Sequence, residues 1–93
     1  MLDYFREEVA VMADKHKDKR KQLGLKIAYY RKLRGLTQEE FSEKAELSMS
    51  HISALEAANM DRSVSINTLF DIAEVLEVPA YKFLLFDDED DNK

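Results

Sequence analysis

The twenty residues from Thr37 to Glu56, TQEEFSEKAELSMSHISALE, constrain this chain more than any other stretch. Thr37 followed by Glu40 is a capping box: the hydroxyl takes the N3 amide and the carboxylate reaches back to the cap N–H. The helix it opens runs to about Ala45, with Phe41 and Ala45 facing inward at i and i+4. A tight break of three or four residues follows, and Ser48 or Ser50 caps a second helix with Ile52 and Leu55 as its inward positions. Small Ser42 lets the two helices cross closely around a shared core. Two short helices so tightly joined cannot bury their faces alone, so neighbouring helices have to supply the rest of the core.

The remaining sequence provides those helices. Leu2, Phe5, Val9 and Met12 repeat at spacings of 3, 4 and 3 and define an N-terminal amphipathic helix. KHKDKRK, residues 15 to 21, lacks an apolar face and reads as a solvated extension of that helix or a linker. Leu23, Ile27 and Tyr30 share the face of a second helix, which ends at Gly35 with Arg31, Lys32 and Arg34 in its last turns. Residues 59 to 64, NMDRSV, read as a loop. Ser65 caps a further helix whose broad apolar face takes Ile66, Leu69, Phe70, Ile72, Ala73 and Leu76. Pro79 stops it and starts a short last helix, AYKFLLF. The expected fold is all-α, a five-helix domain over residues 23–86 preceded by the N-terminal helix and basic linker of 1–22. An acidic, disordered tail of residues 87–93 completes it.

Composition narrows the function classes. Two Gly and one Pro are too few for a barrel or sandwich, and the absence of Cys excludes a disulfide framework and thiolate metal sites. The start, MLDYFREEV, is charged where a secretory signal would be apolar, and no run approaches 18 apolar residues, so a cytoplasmic protein with no membrane partner is expected. The net charge of −5 is very unevenly spread. Residues 15–34 hold nine Lys and Arg against Asp18 alone, while 87–93 hold five acids and one Lys. Such a basic block can face a polyanion or remain a solvated helix face.

The arrangement of the two central helices is that of a helix-turn-helix, which presents its second helix to a major groove. Over about two thirds of its length, Leu23 to Leu84, the chain resembles the phage repressor/Cro-like (XRE-type) helix-turn-helix family. The resemblance is carried by L-G-x-x-I at 23–27, Arg31, G-L-T-Q at 35–38, Phe41 with S-x-x-x-A-x-L-S at 42–48, I-S-x-L-E at 52–56 and L-x-x-I-A-x-x-L-x-V-P at 69–79. The resemblance implies a sequence-specific, DNA-binding transcriptional regulator, a small homodimeric repressor reading an inverted repeat through helix 48–57. Base-reading positions then fall at Met49, Ser50 and Ala54. Thr37, Gln38, Ser48, His51, Ser53, Asn59 and Arg62 take phosphate or cap positions, with His51 otherwise an ordinary solvent-facing helix residue. Arg31 and Glu56 correspond to an internal ion pair with no ligand role. Tyr81, Leu84, Leu85 and Phe86, in surplus on the last helix, are candidates for the dimer interface.

Two departures from the family pattern matter. Glu46 stands where the motif commonly has Gly, in a turn that favours positive φ, at a cost of about 1 kcal/mol. Met49, Ala54 and Ala57 are uncharged where members often place Arg, Lys or Gln, so no bidentate Arg–guanine contact is available from this helix. That leaves a second reading open: a helix-turn-helix scaffold for protein binding, antitoxin-like or an adaptor, with a protein partner on the N-terminal helix. A second stripe of Leu25, Tyr29 and Leu33 fits such a contact, either with the N-terminal helix or across a dimer. Catalysis finds no support. Ser48, Ser50 and Ser53 beside His51 are caps and surface residues lacking an orienting acid, and two separated histidines make no metal site, so neither an enzyme nor a cofactor is expected.

Overall fold

The computed structural model describes residues 15–57 and 64–87. Within them lie four α-helices: α1 (Lys17–Leu33), α2 (Gln38–Ala45), α3 (Met49–Glu56) and α4 (Ile66–Leu76). A 3-10 helix, Ala80–Leu84, follows, and no strand occurs among the described residues.

Local chemistry explains where the helices start. Thr37 Oγ1 accepts from the Glu40 N–H at 3.0 Å, and the Glu40 carboxylate accepts from the Thr37 N–H at 2.9 Å. Ser48 accepts from the His51 N–H and Ser65 from the Thr68 N–H, each at 3.1 Å. Each cap relieves an orphan amide, an effect worth about 1 kcal/mol.

Three of the helices end alike. Gly35, Glu46 and Glu77 adopt positive φ (74°, 58° and 57°) after α1, α2 and α4. The residue that follows each one returns its N–H to a carbonyl five positions back: Leu36 to Arg31, Leu47 to Ser42 and Val78 to Ala73. These are Schellman closures, in which the residue after the left-handed one is apolar and folds back on the helix. Leu36 and Leu47 pack against the core and Val78 lies within it. The left-handed strain at the two glutamates is therefore offset by hydrogen bonding and apolar burial in the same turn.

The core gathers Ile27 of α1, Phe41 and Ala45 of α2, Ile52 and Leu55 of α3, Leu69, Ile72, Ala73 and Leu76 of α4, with Val78 and Phe83. α3 packs on α2 and α1, while α4 packs on α2, α1 and the 3-10 helix. Buried Ser42 lies at the α2 side of this crossing, its hydroxyl donating to the Glu39 carbonyl at 2.8 Å. Tyr30 closes the far end edge-on to Phe83, with ring centroids 5.3 Å apart.

Several expectations need correcting. The last of the five helices is a 3-10 helix, and its inward residue is Phe83. α1 passes position 22 without a break, so Lys17 to Gln22 form its first turns rather than a linker. A helix needs no apolar side chains in a stretch that extends into solvent from a packed section. Ser48 and Ala57 cap α3 from outside. On α4, Ile66 and Phe70 are more than half exposed, because the core takes only the narrower stripe of Leu69, Ile72, Ala73 and Leu76. Asp87, assigned to a disordered tail, is held in place by Gln22. The N-terminal helix of residues 1–14, the loop positions Asn59 and Arg62, and residues 88–93 lie outside the described residues.

Candidate functional site

A part-buried polar network joins three of the helices, and its groups are fully engaged. Arg31 and Glu56 are both buried and meet in a two-pronged ion pair, Nε to Oε2 at 2.7 Å and Nη2 to Oε1 at 3.0 Å. Arg31 Nη1 also donates to the Leu36 carbonyl at 2.6 Å, and the Gln38 side-chain amide donates to Glu56 Oε1 at 3.0 Å. One guanidinium and one carboxylate thus connect α1, the turn after it, the start of α2 and the end of α3. Burying two charges is costly unless hydrogen bonds satisfy them, and here every prong of the fork has a partner in this network. The arrangement holds α3 at a set angle to α1 and α2 without offering a charge to a ligand.

Gln38 is a phosphate candidate whose side-chain NH2 is already committed to Glu56. To bind a phosphate it has to use its backbone N–H at the start of α2, or the second amide hydrogen. Its Oε1 lies 3.5 Å from the Ser53 hydroxyl, which joins the N-terminus of α2 to the outer face of α3 in one surface. Thr37 Oγ1 and Ser48 Oγ both accept cap hydrogen bonds, and each hydroxyl keeps its own hydrogen for a donor role. Ser48 and Ser50 hydroxyls stand 3.3 Å apart on the first turn of α3.

The outward face of α3 follows from the burial of Ile52 and Leu55. Met49, Ser50 and Ser53 are exposed, while His51 and Ala54 are half-buried. The first turn of α3 carries no acidic residue and its last turn no basic one, so its surface is nearly neutral. Glu39 and Glu40 bring negative charge to the first turn of α2, and Glu40 is occupied by the capping box. Cations on the described surface concentrate on α1, where Lys17, Lys19, Lys21 and Lys32 are exposed.

Sequence reasoning missed three contacts. Arg34 reaches across to the end of α4, with Nε donating to the Leu76 carbonyl at 2.6 Å and Nη2 to the Glu77 carbonyl at 2.8 Å. A cation at a helix C-terminus is an ordinary device, but nothing in the local pattern tells which helix it will cap. The Gln38–Glu56 and Gln22–Asp87 bonds likewise join positions far apart in the chain. Of the dimer candidates, Tyr81, Leu84 and Leu85 are exposed and Phe86 is half-buried. Among the described residues no group of His, Asp and Glu could hold a metal ion, and no helix is long and apolar enough to cross a membrane.

Comparison with known proteins agrees with this architecture. Residues 27–83 match the family model described as helix-turn-helix, a span that begins in α1 and ends in the 3-10 helix. The chain is also similar to an uncharacterized HTH-type transcriptional regulator, y4dJ, of Sinorhizobium fredii. The two are 33% identical over 72 residues, which cover 77% of this chain and 91% of the relative. The chain therefore belongs to the XRE/Cro-C1-type helix-turn-helix family.

Proposed function

We propose that the protein is a sequence-specific DNA-binding transcriptional regulator, a small homodimeric repressor that lays α3 in the major groove of an inverted repeat. The observation that carries this reading is the continuous surface formed by the start of α2 and the outer face of α3, joined at Gln38 and Ser53 and anchored beneath by the Arg31–Glu56 pair. Backbone N–H groups at the start of α2 and the hydroxyls of Thr37, Ser48 and Ser53 serve phosphate oxygens, with His51, Asn59 and Arg62 as further phosphate positions. Ser50 hydrogen-bonds a base edge, and Met49 and Ala54 pack on thymine methyl groups. No Arg or Lys reads a base from α3, so each half-site discriminates weakly and specificity comes from pairing two half-sites and from DNA shape.

A two-fold pair through exposed Tyr81, Leu84 and Leu85, with Phe86, sets the half-sites about one DNA turn, roughly 34 Å, apart. Sedimentation showing only monomer at high micromolar concentration removes the dimer. The decisive experiment is selection of duplex fragments from the source genome at about 150 mM salt, where purely electrostatic retention is much reduced. Recovery of sites sharing an inverted repeat supports the regulator. Retention of nothing, or of DNA without sequence preference, overturns it.

A second reading, a helix-turn-helix scaffold for a protein partner, draws on a different observation. The Leu25–Tyr29–Leu33 stripe of α1 is 51–60% exposed, and the outer face of α3 is almost uncharged. In that case, alanine at Ser50 and Ser53 leaves function intact, whereas the first reading requires both.

A further inference from the structure

Asp87 is held by a single side chain from the opposite end of the sequence. Gln22 Oε1 accepts from the Asp87 N–H at 2.9 Å, and Gln22 Nε2 donates to the Asp87 carbonyl at 3.1 Å. The same nitrogen donates to Asp18 Oδ2 at 2.9 Å, which orients the amide for both tasks. One amide thus grips both backbone polar groups of Asp87, as a neighbouring strand would, and fixes the point at which Asp87 sits.

That point lies on the basic half of α1. Lys19 and Lys26 stand three residues before and four after Gln22, so the three share a helix face. Lys26 lines a shallow cleft with Gln22, Leu25 and Asp87. Beyond the clamp the sequence continues Asp88, Glu89, Asp90, Asp91, Asn92 and Lys93. Six residues span up to about 20 Å when extended. Lys17, Lys19, Lys21 and Lys26 all lie within about 8 Å of Gln22 along an axis that rises 1.5 Å per residue. Asp18 is the acid in this region and opposes the tail at the clamp, but the lysines outnumber it.

We propose that the acidic residues 88–91 dock on the basic N-terminal half of α1 and compete there with an external polyanion, the phosphates of nucleic acid. The docking stands on the clamp and the charges alone, and the identity of the competitor rests on the DNA-binding reading above. Contacts of this kind are solvent-exposed, so they fade as the Debye length falls from about 10 Å at 0.1 M salt to about 3 Å at 1 M.

The test uses the full chain and a variant carrying Asp88→Asn, Glu89→Gln, Asp90→Asn and Asp91→Asn. Backbone amide shifts of the two, without DNA, are expected to differ over residues 17–26 at low salt and to converge at high salt. No low-salt difference there overturns the docking, as does one that persists unchanged at high salt. Binding to a duplex of unrelated sequence is then measured against salt. The neutralised variant is expected to bind about 5- to 10-fold tighter at low salt with a steeper salt slope, because DNA no longer has to displace a competing anion. Equal affinities overturn the competition. Gln22→Ala keeps every charge and removes the clamp, so it should give a smaller gain in the same direction. A gain confined to the charge variant means plain repulsion between tail and DNA, and the docking fails. If neither protein binds DNA, the DNA-binding reading falls and the shift comparison still decides the docking.

Discussion

The two halves of α1 carry similar charge and meet opposite fates. Toward the C-terminus, Arg31 is buried in a hydrogen-bonded ion pair with Glu56 and Arg34 caps the end of α4. Toward the N-terminus, Lys17, Lys19 and Lys21 project into solvent. The first group uses its charge to hold helices at fixed angles, and the second keeps it in solvent. Counting basic residues therefore overstates the surface available to a polyanion. What separates the halves is burial: Ile27 and Arg31 are buried, whereas Lys17, Lys19 and Lys21 are exposed.

The largest expected effect breaks the buried half. Arg31→Ala or Glu56→Ala strands a charge in the interior and should cost about 3–5 kcal/mol in a urea titration. Arg31→Met with Glu56→Leu removes both charges and should cost much less than either single change. A double variant as unstable as the singles would mean that the hydrogen bonds to Leu36 and Gln38 matter more than the pair itself. Next, Lys17, Lys19 and Lys21 replaced together by Ala should leave the urea midpoint nearly unchanged. The same variant should weaken duplex binding about tenfold for every sequence, with the salt slope smaller by up to ~3. An unchanged slope would make the exposed half merely solvated.

Arg34→Ala sharpens the division, since it removes two hydrogen bonds at the end of α4 and should cost about 1 kcal/mol. Its effect on duplex binding should be small if Arg34 belongs wholly to the structural half. The smallest effects test how the helices stop. Gly35→Ala places a Cβ in open space at φ 74°, so any loss, about 1 kcal/mol, is backbone strain alone. Glu46→Gly relieves the same strain and should raise the melting temperature slightly.

Much of this was legible from local chemistry. The Thr37–Glu40 box, the Ser48 and Ser65 caps, the turn at Gly35 and the inward positions Phe41, Ala45, Ile52 and Leu55 need only neighbours within four residues, and a short window contains them. Ile66 and Phe70 fit the same apolar pattern yet face solvent, because periodicity gives the direction of a stripe and not the width of the partner that covers it. The basic run 15–21 misled for the same reason: without an apolar face it carries no signal of which helix it continues. At the candidate surface, the exposed positions of α3 follow from its buried ones, while the engagement of the Gln38 amide by Glu56 depends on where two helices meet.

By itself, then, the sequence determined that this chain is helical, where the central helices start, which of their sides face inward, and that positive charge gathers between Lys15 and Arg34. Those properties arise from hydrogen bonds and side-chain spacing within one or two turns. Only the tertiary structure decided which cations are used up inside the fold, which apolar side chains stay uncovered, and that Gln22 holds Asp87 from 65 residues away. Each of those depends on the distance between groups remote in sequence, and that distance is set when the helices pack together.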